Sequence, residues 1–134
     1  MILLSFVFSS ASAHAAGETY GMTLCPWTAS NPRHDHQLIF PLSGGRLMLV
    51  WCEYYVREPE SIFRTPYDTE SAAHDNMPCR ISAKISNDNG RTWSVKFVLQ
   101  ESLWKHNVKH PHLLRLPSAD ILFFFVGWDS TSQR

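Results

Sequence analysis

Two short histidine clusters hold many of the side chains in this sequence best suited to chemistry. His34-Asp35-His36 and His110-Pro111-His112 each set two imidazoles one residue apart, and two such pairs could supply four nitrogen ligands to a zinc ion. Both clusters are expected to be loop histidines, and no metal or cofactor is expected. The three cysteines, Cys25, Cys52 and Cys79, form no metal-ligand spacing. Their odd number allows one internal disulfide plus a leftover thiol, with the pairing left open. No nucleophile-elbow motif is present, so Ser-His-Asp hydrolysis has no support.

Charge argues against two classes of partner. Twelve basic side chains balance twelve acidic ones in 134 residues, which gives neither nucleic acid nor a membrane surface an electrostatic hold. The length suits one ordinary domain. An aromatic content of 13% tilts toward β-rich, carbohydrate-facing proteins.

The elements that must position these residues are organised around Ser86-Asn87-Asp88-Asn89-Gly90-Arg91-Thr92-Trp93. It lies between two β-like runs, Ile81 to Ile85 and Val95 to Leu99. Asn89-Gly90 between such runs predicts a hairpin, because both residues tolerate the positive φ of a tight turn. Ser86 and Asp88 can bond the turn amides, and Thr92 can do so more weakly. Trp93 is expected to fold its ring back over the turn as an apolar plug.

A second hairpin is predicted upstream. Residues 17–35 read as loop, broken by Gly17, Gly21, Pro26 and Pro32. Gln37 to Phe40 then forms one strand, Ser43-Gly44-Gly45 the turn and Arg46 to Tyr55 the return strand. Leu47 to Trp51 is continuously apolar, as in a strand covered on both faces. Residues 56–78 form a long polar insertion with Pro59, Pro66 and Pro78, and a connection of that kind is usually functional or disordered. After it, Leu113 to Phe125 echoes Leu38 to Val50 at an offset of 75, which makes His36 and Pro111 equivalent positions. With the insertion subtracted, the period is close to a four-stranded propeller blade, on the order of 40–50 residues.

Met1 to Ala16 reads as a secretory signal peptide. Ile2 to Phe8 is an apolar core too short to span a bilayer. Ala11-Ser12-Ala13 and Ala13-His14-Ala15 are small-x-small cleavage sites. The chain is therefore expected to be secreted or periplasmic, with residues 17–134 as the N-terminal part of one domain.

The complete pattern Ser86-x-Asp88-x-Gly90-x-Thr92-Trp93 resembles the Asp-box of sialidase-like β-propellers. Further matching runs are Asn31-Pro32-Arg33, Gly45-Arg46-Leu47, Asp75 to Lys84, Asn107-Val108 and Leu113 to Ser118. The resemblance implies an all-β fold, an incomplete six-bladed propeller of about one and a half blades, with strands near 37–42, 46–54, 79–86 and 94–100 in the first. It implies a structural Asp-box that binds no calcium. In activity it implies part of a retaining exo-sialidase-like glycoside hydrolase, taking a terminal sugar from a sialoglycan-like carbohydrate.

Carried over residue by residue, the family's acid/base aspartate falls on Asp75, just ahead of the third strand. Asp68, Glu70, Glu58 and Glu60 are the other carboxyls of that loop. The first substrate-binding arginine falls on Arg33, with Arg64 in Phe63-Arg64-Thr65-Pro66 as a second candidate, although the Arg-Ile-Pro motif itself is missing. A planar guanidinium suits bidentate binding of a sugar carboxylate. Where a second site arginine is usual, this sequence has Glu53, Tyr54 and Tyr55. The tyrosine nucleophile, its glutamate and the remaining arginines belong to later blades. The alternative is a non-catalytic Asp-box propeller module that binds glycans or proteins.

Overall fold

The computed structural model describes residues 21–56, 78–103 and 107–128. The expected leader and nearly all of the polar insertion, with Asp75, Arg64, Asp68, Glu70, Glu58 and Glu60, lie outside them. The described chain is all-β, with strands β1 (Arg33–Pro41), β2 (Leu47–Tyr54), β3 (Cys79–Ser86), β4 (Phe97–Gln100), β5 (Asn107–Arg115) and β6 (Ile121–Trp128). One 3-10 turn, Ser43–Gly45, joins β1 to β2.

β1 to β4 pair in sequence as an antiparallel meander. β5 and β6 form a second antiparallel hairpin, linked to β3 by the single parallel pair Cys79↔Asn107. β2 sits between two neighbours and is buried from Leu49 to Tyr54, as its unbroken apolar run requires.

Two strand starts differ from the sequence expectation. β1 begins at Arg33, so His34, Asp35 and His36 are strand residues rather than loop. Its register against β2 shifts between Asp35 and Leu38, and His36 adopts a φ of 49°, which marks a bulge that a polar run conceals. β4 begins at Phe97, three residues late. Ser94 still bonds back to Ile85, its N–H donating to the Ile85 carbonyl at 2.8 Å and its hydroxyl accepting from the Ile85 N–H at 3.0 Å.

The two hairpins repeat at an offset of 74, not 75. β5 follows β1 and β6 follows β2 at that spacing. The bulge recurs between Lys109 and His112, with His110 at φ 53°. The turns also match: Leu42 N–H donates to Arg46 O at 2.8 Å and Leu116 N–H to Asp120 O at 2.9 Å, while Gly45 and Ala119 have φ of 72° and 71°. His36 is thus equivalent to His110, and the pairing with Pro111 is corrected. Apolar letters alone align Leu38 with Leu113, but a one-residue slip would turn every side chain to the wrong face.

Because directly paired residues share a face, the register sorts the core. Val50, Ile81 and Ala83 are fully buried, joined by Leu38 and Met48, and Val108, Leu113, Phe123 and Phe125 of the second hairpin pack on them. The opposite face of that second hairpin carries Leu114, Leu122, Phe124 and Val126, all about half exposed. These correspond, at the repeat spacing, to Phe40, Met48, Val50 and Cys52 on the covered face of the first hairpin.

The hairpin between β3 and β4 closes as its sequence predicts. Asn89 and Gly90 have φ of 57° and 87°. The Ser86 hydroxyl accepts from the Gly90 N–H at 2.7 Å and donates to Asp88 Oδ1 at 2.8 Å. Asp88 in turn accepts from the Thr92 N–H at 2.8 Å and the Thr92 hydroxyl at 2.6 Å. Those bonds, with that from Ser86, hold the Asp88 carboxyl down to about 2. Trp93 Nε1 donates to Gly90 O at 3.0 Å, which lays the ring over the turn.

At the other end of the sheet, the Tyr55 N–H donates to Pro78 O at 3.0 Å and the Val56 N–H to Ser30 O at 3.1 Å. The first of these bonds ties the two ends of the segment 57–77 together.

Candidate functional site

The β1–β2–β3 register puts Arg33, Tyr54 and Cys79 in one row, at the end of the sheet opposite the turn at 86–93. Segment 57–77 leaves and re-enters the sheet there, and β5 starts there. Of the sequence candidates Arg33 is placed by the described residues, whereas Asp75 and Arg64 fall in that segment.

Arg33, Asp35, Cys52, Tyr54 and Cys79 share the face turned to the second hairpin. Arg33 Nη2 lies 2.7 Å from Asp35 Oδ2, and the guanidinium sits over the Tyr54 ring at 4.5 Å. The Lys109 ammonium lies 5.8 Å from the same ring. Each cation is attracted electrostatically by the negative face of the ring. Burial, chiefly, raises the Tyr54 hydroxyl well above its ordinary value.

Beside this row, His36 Nδ1 donates to Asp35 Oδ1 at 2.7 Å. The His36 and His110 rings meet with centroids 4.0 Å apart at 68°. Burial, with His36 beside it, lowers His110. Cys52 and Cys79 are both fully buried free thiols. A hydrogen bond between them, together with burial, raises Cys79 far above the ordinary thiol range. The sequence left open which two cysteines would form a disulfide; the diagonal placement across β2 and β3 brings Cys52 and Cys79 together as free thiols.

The other face is built on Glu53, which sequence reasoning treated as a missing arginine. Its side chain is 2% exposed, and it accepts from Arg80 Nε at 2.7 Å, Ser82 Oγ at 2.9 Å and Lys96 Nζ. Burial alone would raise this carboxyl, yet the three donors outweigh it and hold it below its ordinary value. Arg80 also reaches Glu101 at 3.7 Å and lies over Tyr55 at 5.0 Å. The chain at 24–26 lies across this face. Lys84 Nζ donates to Leu24 O at 2.7 Å, and His34 Nε2 lies 3.4 Å from Pro26 O. Burial lowers His34 and pushes the Cys25 thiol up to about 11. The signal available in the sequence was a lone carboxylate closing an apolar strand, a group that must find partners when buried.

Chemically, the row at this end offers a cation fixed over an aromatic ring, imidazoles on a strained bulge and a pair of buried thiols. Comparison with protein-family models, with curated proteins and with solved structures finds no match to this chain.

Proposed function

We propose that this chain belongs to a sialidase-like β-propeller and supplies part of the site of an exported, retaining glycoside hydrolase acting on a terminal, acidic sugar. The observation that carries the reading is the Asp-box hairpin, closed by its own side chains between the third and fourth strands of an antiparallel meander. The inner hairpin's recurrence at 74 residues supports stacked blades. So does the exposed apolar face of the second hairpin, the surface on which a further repeat would sit.

On this reading Asp75 is the acid/base and Arg33 the anchor for the sugar carboxylate, with Arg64 as a further cation on the same segment. Asp35 fixes the Arg33 guanidinium over Tyr54, and a substrate carboxylate would compete with Asp35 for it. Export places the mature terminus between His14 and Gly17, which N-terminal sequencing of protein collected from its host reads directly.

A second reading, a non-catalytic module that binds glycans or proteins, is favoured by one observation. Glu53 is consumed by Arg80, Ser82 and Lys96, so the place of a second arginine offers no cation to an anionic sugar. Kinetics with Asp75→Asn separate the two. A general acid contributes about 10²–10⁴-fold, so turnover of a glycoside with a poor leaving group should fall at least about a hundredfold. An aryl glycoside with a good leaving group should suffer less, since its departure needs little protonation. Equal small losses on both would return the role to Asp68 or Glu70. A protein that binds glycans yet cleaves none is the binding module.

A further inference from the structure

We propose that Asp35, His36 and Cys52, completed by His110, form a binding site for a zinc-class divalent cation that staples the two hairpins together. A carboxylate oxygen of Asp35, a ring nitrogen of His36 and Cys52 Sγ all lie within 4.8 Å of one another. In a tetrahedral zinc site, bonds of about 2.0–2.3 Å put neighbouring ligand atoms roughly 3.3–3.8 Å apart. A contraction of about an ångström therefore brings three chemically different ligands around one ion. They come from both strands of the first hairpin, joined directly by the pair Asp35↔Cys52.

The fourth ligand comes from the repeat. His110 occupies the same bulge of the second hairpin, and its ring centroid is 4.0 Å from that of His36. Both histidines are held at positive φ, 49° and 53°, a conformation that is uncommon for a residue with a Cβ. The bulges aim two imidazoles at each other across the boundary between repeats.

The surroundings suit the ion. Arg33 on Asp35 Oδ2 orients the carboxylate and leaves Oδ1 facing His36, the outer-shell arrangement that fixes a ligand's direction. At present the His36 Nδ1 proton bridges to that oxygen. On binding, the ion takes the bridging position, the ring keeps one proton on Nε2, and the Cys52 thiol releases its proton to solvent. One sulfur, two nitrogens and one oxygen favour a borderline metal such as zinc or cobalt over calcium or magnesium, which take oxygen ligands. This inference does not depend on the glycosidase reading.

The purified full chain, with its thiols reduced, would be titrated with cobalt(II) alone and then with zinc. The expected result is one equivalent of cobalt with thiolate charge-transfer absorption, its displacement by zinc, and a melting temperature that rises with zinc concentration. His36→Asn, which tolerates the positive φ, should weaken binding about tenfold or more, and His110→Asn should weaken it as well. Cys52→Ser should abolish the thiolate band, while Cys25→Ser should leave it intact. His36 is 39% exposed, so its variant decides the matter even if Cys52→Ser fails to fold. Absence of cobalt binding by the parent protein overturns the proposal. So does a thiolate band that survives both His36→Asn and His110→Asn, or one lost with Cys25→Ser.

Discussion

His36 and His110 stand 74 positions apart in the chain, yet their rings meet edge to face at 4.0 Å between centroids. Each is the left-handed residue of a bulge in the first strand of its hairpin. Pro41 and Arg115 repeat the relationship at the other end of the same two strands, Arg115 Nη2 donating to Pro41 O at 2.6 Å. The two hairpins are therefore joined at equivalent positions along both ends of their inner strands, with Val108, Leu113, Phe123 and Phe125 filling the space between.

Gly90→Ala tests the turn between β3 and β4. A Cβ there would make ordinary contacts, 3.5 Å to Leu47 and 3.8 Å to Trp93, so the cost is conformational. At a φ of 87° an L-residue is expected to lose roughly 1–2 kcal/mol. Chemical denaturation should show that loss with an unchanged slope. A neutral result would mean that the turn relaxes to another type.

Glu53→Ala should be the more damaging change. It removes the shared acceptor of Arg80, Ser82 and Lys96 from a buried site. Arg80 and Lys96 are 23% and 34% exposed, so they can partly rehydrate, which reduces the penalty. A loss of about 2–4 kcal/mol is expected, against at most about 1 kcal/mol for Lys96→Ala. Equal losses for the two variants would contradict the assignment of Glu53 as the hub.

The sequence made some of this legible. β3 was bounded correctly because its alternation is clean and Ser86 begins an unmistakable turn. The closing of the turn at 86–93 was legible for the same reason, since every partner lies within a few residues. Glu53 was not, because its partners Arg80, Ser82 and Lys96 are brought in by strand pairing from far along the chain. The start of β1 was hidden by the bulge, where His34-Asp35-His36 breaks the polar/apolar alternation. The cluster of Asp35, His36, Cys52 and His110 combines that bulge with the repeat offset, and a one-residue error in the offset was enough to set Pro111 where His110 belongs.

Acid should act on the turn through Asp88. Its carboxyl is held down to about 2, first by Thr92, against an ordinary value near ~4. Depression of a carboxyl contributes stability that is present above the unfolded value and is lost as pH falls through the folded one. The melting temperature should fall between about pH 4 and pH 2 more steeply in the parent than in Asp88→Asn. Parallel profiles over that interval would remove Asp88 from the account.

Self-association is expected through the outer face of the second hairpin. Leu114, Leu122, Phe124 and Val126 form a contiguous apolar stripe on paired strands, and among the described residues β6 is the last strand of the sheet beside it. Replacing Leu122 and Phe124 together by Lys should shift the species seen in sedimentation toward monomer. The melting temperature of the parent should rise with protein concentration, and that of the double variant should not. An unaltered sedimentation profile would place the contact elsewhere.

The bond from the Tyr55 N–H to Pro78 O has a consequence for how such a chain could diversify. It closes the neck of segment 57–77 within the sheet's own ladder, so β2 and β3 remain in register whatever the segment contains. For a flexible loop, doubling the length beyond such a neck costs only about 0.6 kcal/mol. Exchange of residues 57–77 should therefore leave the frame's stability in place, which makes this neck a natural grafting point.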